Sequence, residues 1–198
     1  MSDETKKTTK KIVIFASGSG TNAENIIKYF QNSNKITVVA VLSNRRSAGA
    51  LKKAHHLNVK ALLFDQDAFY NSKEVLNVLK DIDPDLIVLA GFLWLMPTNI
   101  LEEFSERIIN IHPALLPKYG GKGMYGDRVH KAVIENKEKE SGITIHYVNT
   151  KYDEGEIIFQ DTVSIEQNET PESLAQKIHE LEYKHFPVVI EQLLEGDK

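Results

Sequence analysis

Two polar residues close an apolar run, Ile108-Ile-Asn-Ile-His-Pro-Ala-Leu-Leu-Pro117. Asn110 and His112 are two positions apart, so extended backbone turns both side chains to one face. Pro113 holds His112 toward extended angles, and Pro117 discourages a helix from starting at once. The apolar lead-in marks a buried strand. The pair therefore stands at a strand's carboxyl end, the edge at which open α/β sheets bind ligands. An imidazole exchanges a proton near neutral pH, and a carboxamide beside it can donate a hydrogen bond to a developing oxyanion. The competing reading is a packed loop histidine beside a turn-forming asparagine, and one strand end does not separate the two.

A second stretch suggests an anion site. Lys11-Ile-Val-Ile-Phe-Ala16 is short, apolar and β-branched, as buried parallel strands are. Ser17-Gly-Ser-Gly-Thr-Asn22 follows, then helical spacing through Ile26, Ile27 and Phe30. Strand, glycine turn and helix N-terminus hold a phosphate on backbone N–H groups. A dinucleotide site would want an acid about 20 residues after the glycines. The next strand, Ile36–Leu42, instead ends in Ser43-Asn-Arg-Arg46. NAD is disfavoured. Arg45 and Arg46 leave open an NADP-type regulatory module without catalysis, while a phosphate monoester suits the glycine turn better.

The elements that must position these stretches follow in order. A helix is expected over 48–57, a third strand over 59–64, and a helix after a capping box at Asn71-Ser-Lys-Glu74. A fourth strand covers 85–90, and Pro97 opens a helix to Phe104. Between them Leu93-Trp-Leu-Met96 puts large apolar residues just past a strand end. They read either as the wall of a pocket for a flat ligand or as core packing. Four glycines within Lys118–Gly126 suggest a mobile loop, with Asp127 capping the helix behind it. Gly142–Val148 alternates, and after a turn at 151–155 the chain continues as strand over 156–160 and 162–165; strands joined so closely must pair antiparallel. Thr170 and Pro171 start a last helix, expected to kink or break near Pro187. The implied fold is α/β, a single mostly parallel sheet with flanking helices and antiparallel strands near its C-terminal part.

Composition limits the function classes. The chain has 198 residues, 41% hydrophobic and 26% charged, with a net charge of −4. That suits one domain, residues 11–198, behind a flexible leader, 1–10. A mildly acidic chain shows no footprint for nucleic acid. It has no cysteine, hence no disulfides and no thiolate nucleophile. No apolar run reaches the ~20 residues of a membrane span. The polar, lysine-rich N-terminus is no secretory signal, and a cytoplasmic setting is expected.

Asn110-Ile-His-Pro-Ala-Leu-Leu-Pro-Lys-Tyr119, Ser17-Gly-Ser-Gly-Thr-Asn22 and Leu89-Ala-Gly-Phe92 together resemble the folate-dependent glycinamide ribonucleotide formyltransferases of purine synthesis. The likeness runs from Lys11 to about Leu194. Two relatives that share the histidine motif, methionyl-tRNA formyltransferase and formyltetrahydrofolate hydrolase, are typically longer. The resemblance implies a catalytic trio of Asn110, His112 and Asp153, with His146 near it but outside it. It implies a substrate site at Gly20, Thr21, Asn22 and Glu182. The formyl donor, 10-formyltetrahydrofolate, would lie on Leu93, Trp94, Leu95 and Met96, near Asn110. No metal is implied, and a monomer or homodimer is expected. Asp153 is expected to raise the pKa of His112. Two departures stand out. The Gly120–Gly126 loop is longer and richer in glycine, and the family's folate-contacting arginine has no counterpart, Ser72 and Lys73 being nearest.

Overall fold

The computed structural model describes residues 9–196. Seven strands form one sheet in the order β3-β2-β1-β4-β5-β6-β7. Strands β1 (Lys10–Phe15), β2 (Ile36–Ser43), β3 (Lys60–Leu63), β4 (Leu86–Leu89) and β5 (Ile108–His112) are parallel. Strands β6 (Glu140–Tyr147) and β7 (Ile157–Ser164) complete it antiparallel. The chain winds outward from β1 to β3, then returns to β4 on the other side of β1. That reversal is the switch point, and a crevice opens there at the strands' carboxyl ends.

Alternation along β1 sorts the core into two layers. Ile12 and Ile14 join one cluster with Ile26 of α1 (Thr21–Phe30), Ala54 of α2 (Gly49–His56), Val133 of α6 (Asp127–Glu135) and Ile178 of α7 (Pro171–Glu195). Val13 and Phe15 join the other, with Phe69 of α3 (Gln66–Tyr70), Leu79 of α4 (Glu74–Ile82) and Ile100 of α5 (Thr98–Glu103).

Several local expectations are corrected. Asp65, not Asn71, is a side-chain cap: it accepts from the Ala68 N–H and starts α3, a helix that short apolar spacing concealed. Asn71 closes that helix, and α4 begins at Glu74 behind Lys73 in the left-handed region, without a capping box. Gly126, not Asp127, precedes α6. Segments 156–160 and 162–165 do continue as one strand, β7, antiparallel to β6 as expected. Lys10, placed in the leader, already pairs with Ile36; residues 1–8 of the expected leader lie outside the described residues.

Helix α7 starts as expected, with Thr170 accepting from Ser173 N and Pro171 at its first position. It then runs unbroken through Pro187 to Glu195. Proline lacks the N–H that would bond the carbonyl four residues back, here that of Tyr183. The Asn25 side chain of α1 donates to that carbonyl at 2.9 Å. The bond a proline removes is thus replaced by one between helices, which fixes α1 against α7. Asn25→Leu should leave the Tyr183 carbonyl without this partner and lower stability by about 1–3 kcal/mol. Denaturant unfolding of wild type and variant measures it; an unchanged midpoint would mean that water serves the carbonyl as well.

Candidate active site

Strand register assembles the polar cluster. Asn110 pairs across β5 and β6 with His146, and His112 with Thr144. Asn110, His112 and His146 therefore share one face. The β6–β7 connection brings Asp153 over them, with its backbone in the left-handed region (φ 57), which aspartate tolerates better than most residues. Its carboxylate is the common partner. Oδ2 lies 3.6 Å from His112 Nδ1 and accepts the Gly121 N–H at 2.9 Å. Oδ1 lies 3.7 Å from His146 Nε2 and 3.5 Å from Asn110 Nδ2.

Backbone carbonyls set the tautomers, because a carbonyl only accepts. His112 Nε2 donates to the Tyr119 carbonyl at 2.8 Å, so Nδ1, facing Asp153, is the nitrogen that gains or loses a proton. His146 Nδ1 donates to the Tyr147 carbonyl at 2.8 Å, leaving Nε2 to accept from Asn110 Nδ2 at 3.1 Å. The other amide hydrogen of Asn110 makes only the long contact to Asp153, and is the one free to turn toward a ligand.

Asp153 does push the His112 pKa up, as expected, but the net shift is downward. His112 is only 4% exposed. Burial pushes its pKa down more than Asp153 and the Tyr119 carbonyl push it up, and His146 adds to the fall. The net position is below the ordinary 6.5, so neutral imidazole dominates at pH 7. For Asp153, burial works upward, but His146, His112 and the Gly121 N–H outweigh it and hold the carboxyl below its usual range.

A cavity of about 520 Å³ joins this cluster to the glycine turn. Gly18, Gly20, Thr21 and Asn22 line it, as do Leu93, Asn110, His112, Asp153 and Glu182. Gly20 caps α1 in the left-handed region, φ 74. A Cβ there would lie 2.3 Å from Ala50 Cα, so glycine is required for packing against α2 whatever the turn binds. Ser17 Oγ donates to Asn44 and accepts from Leu93 N, tying together the loops after β1, β2 and β4. On the far wall Glu182 is 5% exposed and accepts from Asn22 Nδ2 at 2.8 Å. Burial raises its pKa to about 7 against a smaller opposing pull from Asn22. Asn22 Oδ1 and His130 Nδ1 are buried without a protein hydrogen-bond partner. Both residues line the cavity, where a polar ligand could serve such groups.

The apolar stretch splits up. Leu93 lines the main cavity. Trp94 packs among Phe64, Phe69, Tyr70 and Phe92 and lines a neighbouring cavity. Met96 is 2% exposed and belongs to the core, and Leu95 lines neither cavity. The pocket-wall and core-packing readings are each right for part of the stretch. Sequence reasoning missed Thr144 and Gln160. Thr144 Oγ1 donates to the Ala114 carbonyl and accepts from Leu116 N, and Gln160 donates to Thr144 and to the Leu116 carbonyl. Together they fix the segment after His112. Polar residues recurring at alternate strand positions were the available signal.

Fold and site together define an open α/β protein with a buried Asn–His–Asp cluster and a glycine turn lining one cavity at one sheet edge. The chain belongs to the formyl transferase family, whose model matches residues 10–190. It is 37% identical to the chloroplastic phosphoribosylglycinamide formyltransferase of Arabidopsis thaliana over 94% of this chain, and spans 66% of that relative. It is 34% identical to the phosphoribosylglycinamide formyltransferase of Bacillus subtilis, over 93% of this chain and 95% of that one. The crystal structure of phosphoribosylglycinamide formyltransferase from Bacillus halodurans superposes with a TM-score of 0.85 at 34% identity, covering 96% of this chain and 97% of that chain. The NADP-module alternative finds no support: Arg45 lines the main cavity but Arg46 the neighbouring one, so they do not converge on one phosphate.

Glu182 yields a pH prediction. Its folded pKa, about 7, stands above the ordinary 4.5. The stability it contributes is complete below pH 4.5 and is lost as pH rises through 7. His112 and His130, the latter lowered to about 4 chiefly by burial, act oppositely: their contribution is present above 6.5 and lost as pH falls. Glu182→Gln should remove the loss on the alkaline side, up to about 3 kcal/mol by pH 8. Unfolding midpoints of both proteins from pH 4.5 to 8 check it; parallel curves would refute it.

Proposed function

We propose that this protein transfers the formyl group of 10-formyltetrahydrofolate to the amine of N1-(5-phosphoribosyl)glycinamide. One observation carries the reading: a single cavity holds both the Asn110–His112–Asp153 cluster and the glycine turn. The turn suits the ribonucleotide phosphate, with Thr21 and Asn22 at the α1 N-terminus. Glu182 and the orphan Asn22 oxygen suit hydroxyl and amine donors on the same substrate. Leu93, beside the cluster, is the part of the apolar stretch that can meet the donor.

The neutral substrate amine attacks the formyl carbon. The resulting oxyanion takes the free amide hydrogen of Asn110. Neutral His112 accepts the ammonium proton at Nδ1, the nitrogen left open by the Tyr119 carbonyl. Asp153 stabilises the imidazolium so formed, which then protonates the departing folate nitrogen. His146 keeps the Asn110 amide oriented. A monomer or homodimer and a cytoplasmic setting belong to this proposal. Among the described residues no helix is long and apolar enough to cross a membrane.

The direct test is turnover of the purified chain with both substrates, followed by release of tetrahydrofolate; no turnover would end the proposal. Two variants sharpen it. Asp153→Asn should lower kcat by about 10²-fold or more. It should also move the acid limb of the pH–rate profile and the NMR titration of His112 to lower pH, since the upward push of the carboxylate is gone. A near-normal kcat would remove Asp153 from the mechanism. Gly18→Val tests the turn without the clash that Gly20 would suffer, because a Cβ at Gly18 meets no atom within 4 Å. It should fold normally and raise the ribonucleotide KM, leaving the donor KM unchanged; equal loss for both would make the turn merely structural.

A further inference from the structure

The chain has four arginines. Arg107 is tied to Asp83. Arg128 differs: among the described residues it has no carboxylate within ion-pair reach, and its guanidinium lies over the Tyr125 ring, 5.1 Å from the centroid. Lys122 is likewise without an ion pair among the described residues. Both side chains belong to exposed positions on the rim of the main cavity.

The segment that carries them is built from glycines. Gly121 and Gly123 have φ 93 and Gly126 has φ 53, conformations that other residues adopt at a cost. The Gly121 N–H is fastened to Asp153, and at the other end Arg128 occupies the first turn of α6. The segment is thus anchored at the catalytic cluster and at a helix, with its cations between. Val129 and Val133 of α6 share the core layer of α1 and α7. Helix α7 supplies Glu182, which holds Asn22 beside the glycine turn. Arg128 is thus carried by a helix on the same side of the sheet as α1, whose N-terminus follows the glycine turn, and lines the same cavity. Leu93 follows Phe92, which packs into the opposite layer.

We propose that Arg128, steadied on Tyr125 and backed by Lys122, is a second contact for the substrate's phosphate and sets specificity for the phosphorylated substrate. The inference rests on the functional reading above. Backbone N–H groups at the turn fix the position of a phosphate, and a guanidinium adds the bidentate, charge-assisted contact that distinguishes a dianion from a neutral sugar. The arginine stays stacked on an aromatic face when the site is empty, so little side-chain freedom is lost on binding.

The test compares wild type, Arg128→Gln and Arg128→Lys as full chains. Each is assayed with N1-(5-phosphoribosyl)glycinamide and with its dephosphorylated riboside. Arg128→Gln should raise the KM of the phosphorylated substrate about tenfold or more, with kcat within about twofold. Its effect on kcat/KM for the riboside should be under about twofold, and lysine should restore part of the loss. The Ki of inorganic phosphate, competing with the ribonucleotide, should rise by a similar factor. Equal losses on both substrates, or no change on either, would overturn the assignment. So would a loss that follows the donor KM and grows with the length of the donor's glutamate tail. Wild-type turnover separates the two levels: an inactive wild type removes the functional reading and this inference with it, whereas an active wild type with an insensitive Arg128→Gln removes only the role of Arg128.

Discussion

The site depends on one carboxylate. Asp153 faces His112 and His146 at 3.6 and 3.7 Å, meets the Asn110 amide, and accepts the Gly121 N–H. Its side chain is only 12% exposed. A carboxylate so placed would be costly unless its partners compensate for lost water, and the same partners include the residues proposed to carry the chemistry. Asp153 thus does three things at once. It biases the protonation of His112, holds one amide hydrogen of Asn110 loosely, and fastens the glycine segment that bounds the cavity. Two anchoring bonds support it, from His112 and His146 to backbone carbonyls, which decide which ring nitrogen faces Asp153.

Burial and charge pull on His112 in opposite directions, and burial wins. A base that is neutral at pH 7 is the useful form for an incoming ammonium proton. In the proposed mechanism the carboxylate matters most after proton transfer, when an imidazolium has formed beside it. On the other wall, burial acts on Glu182 in the opposite chemical sense and leaves it titrating near neutrality, at about 7. A ligand with hydroxyl or amine donors at that carboxyl would change its surroundings and so couple binding to its proton. The cavity therefore holds one buried base pushed down and one buried acid pushed up, both by lack of water.

The sequence by itself determined the sheet strands, the glycine turn and the Asn110–His112 pairing. Each is written in local terms: period two, β-branched runs, glycines before a helix, proline after a histidine. It also determined the start of α7, where Thr170 and Pro171 sit side by side. Tertiary structure decided the rest, because the causes are distant in the chain. Asp153 is 43 positions from Asn110, and only the antiparallel return of β6 and β7 brings it over β5. Pro187 reads locally as a break, yet α7 continues, with Asn25 serving the freed carbonyl of Tyr183, 158 positions from it. Trp94 and Leu93 are neighbours of similar apolarity, but the aromatic cluster around Phe69 claims one and the cavity the other. The pKa of His112 goes the same way: its sign follows from a depth of burial that no run of residues specifies.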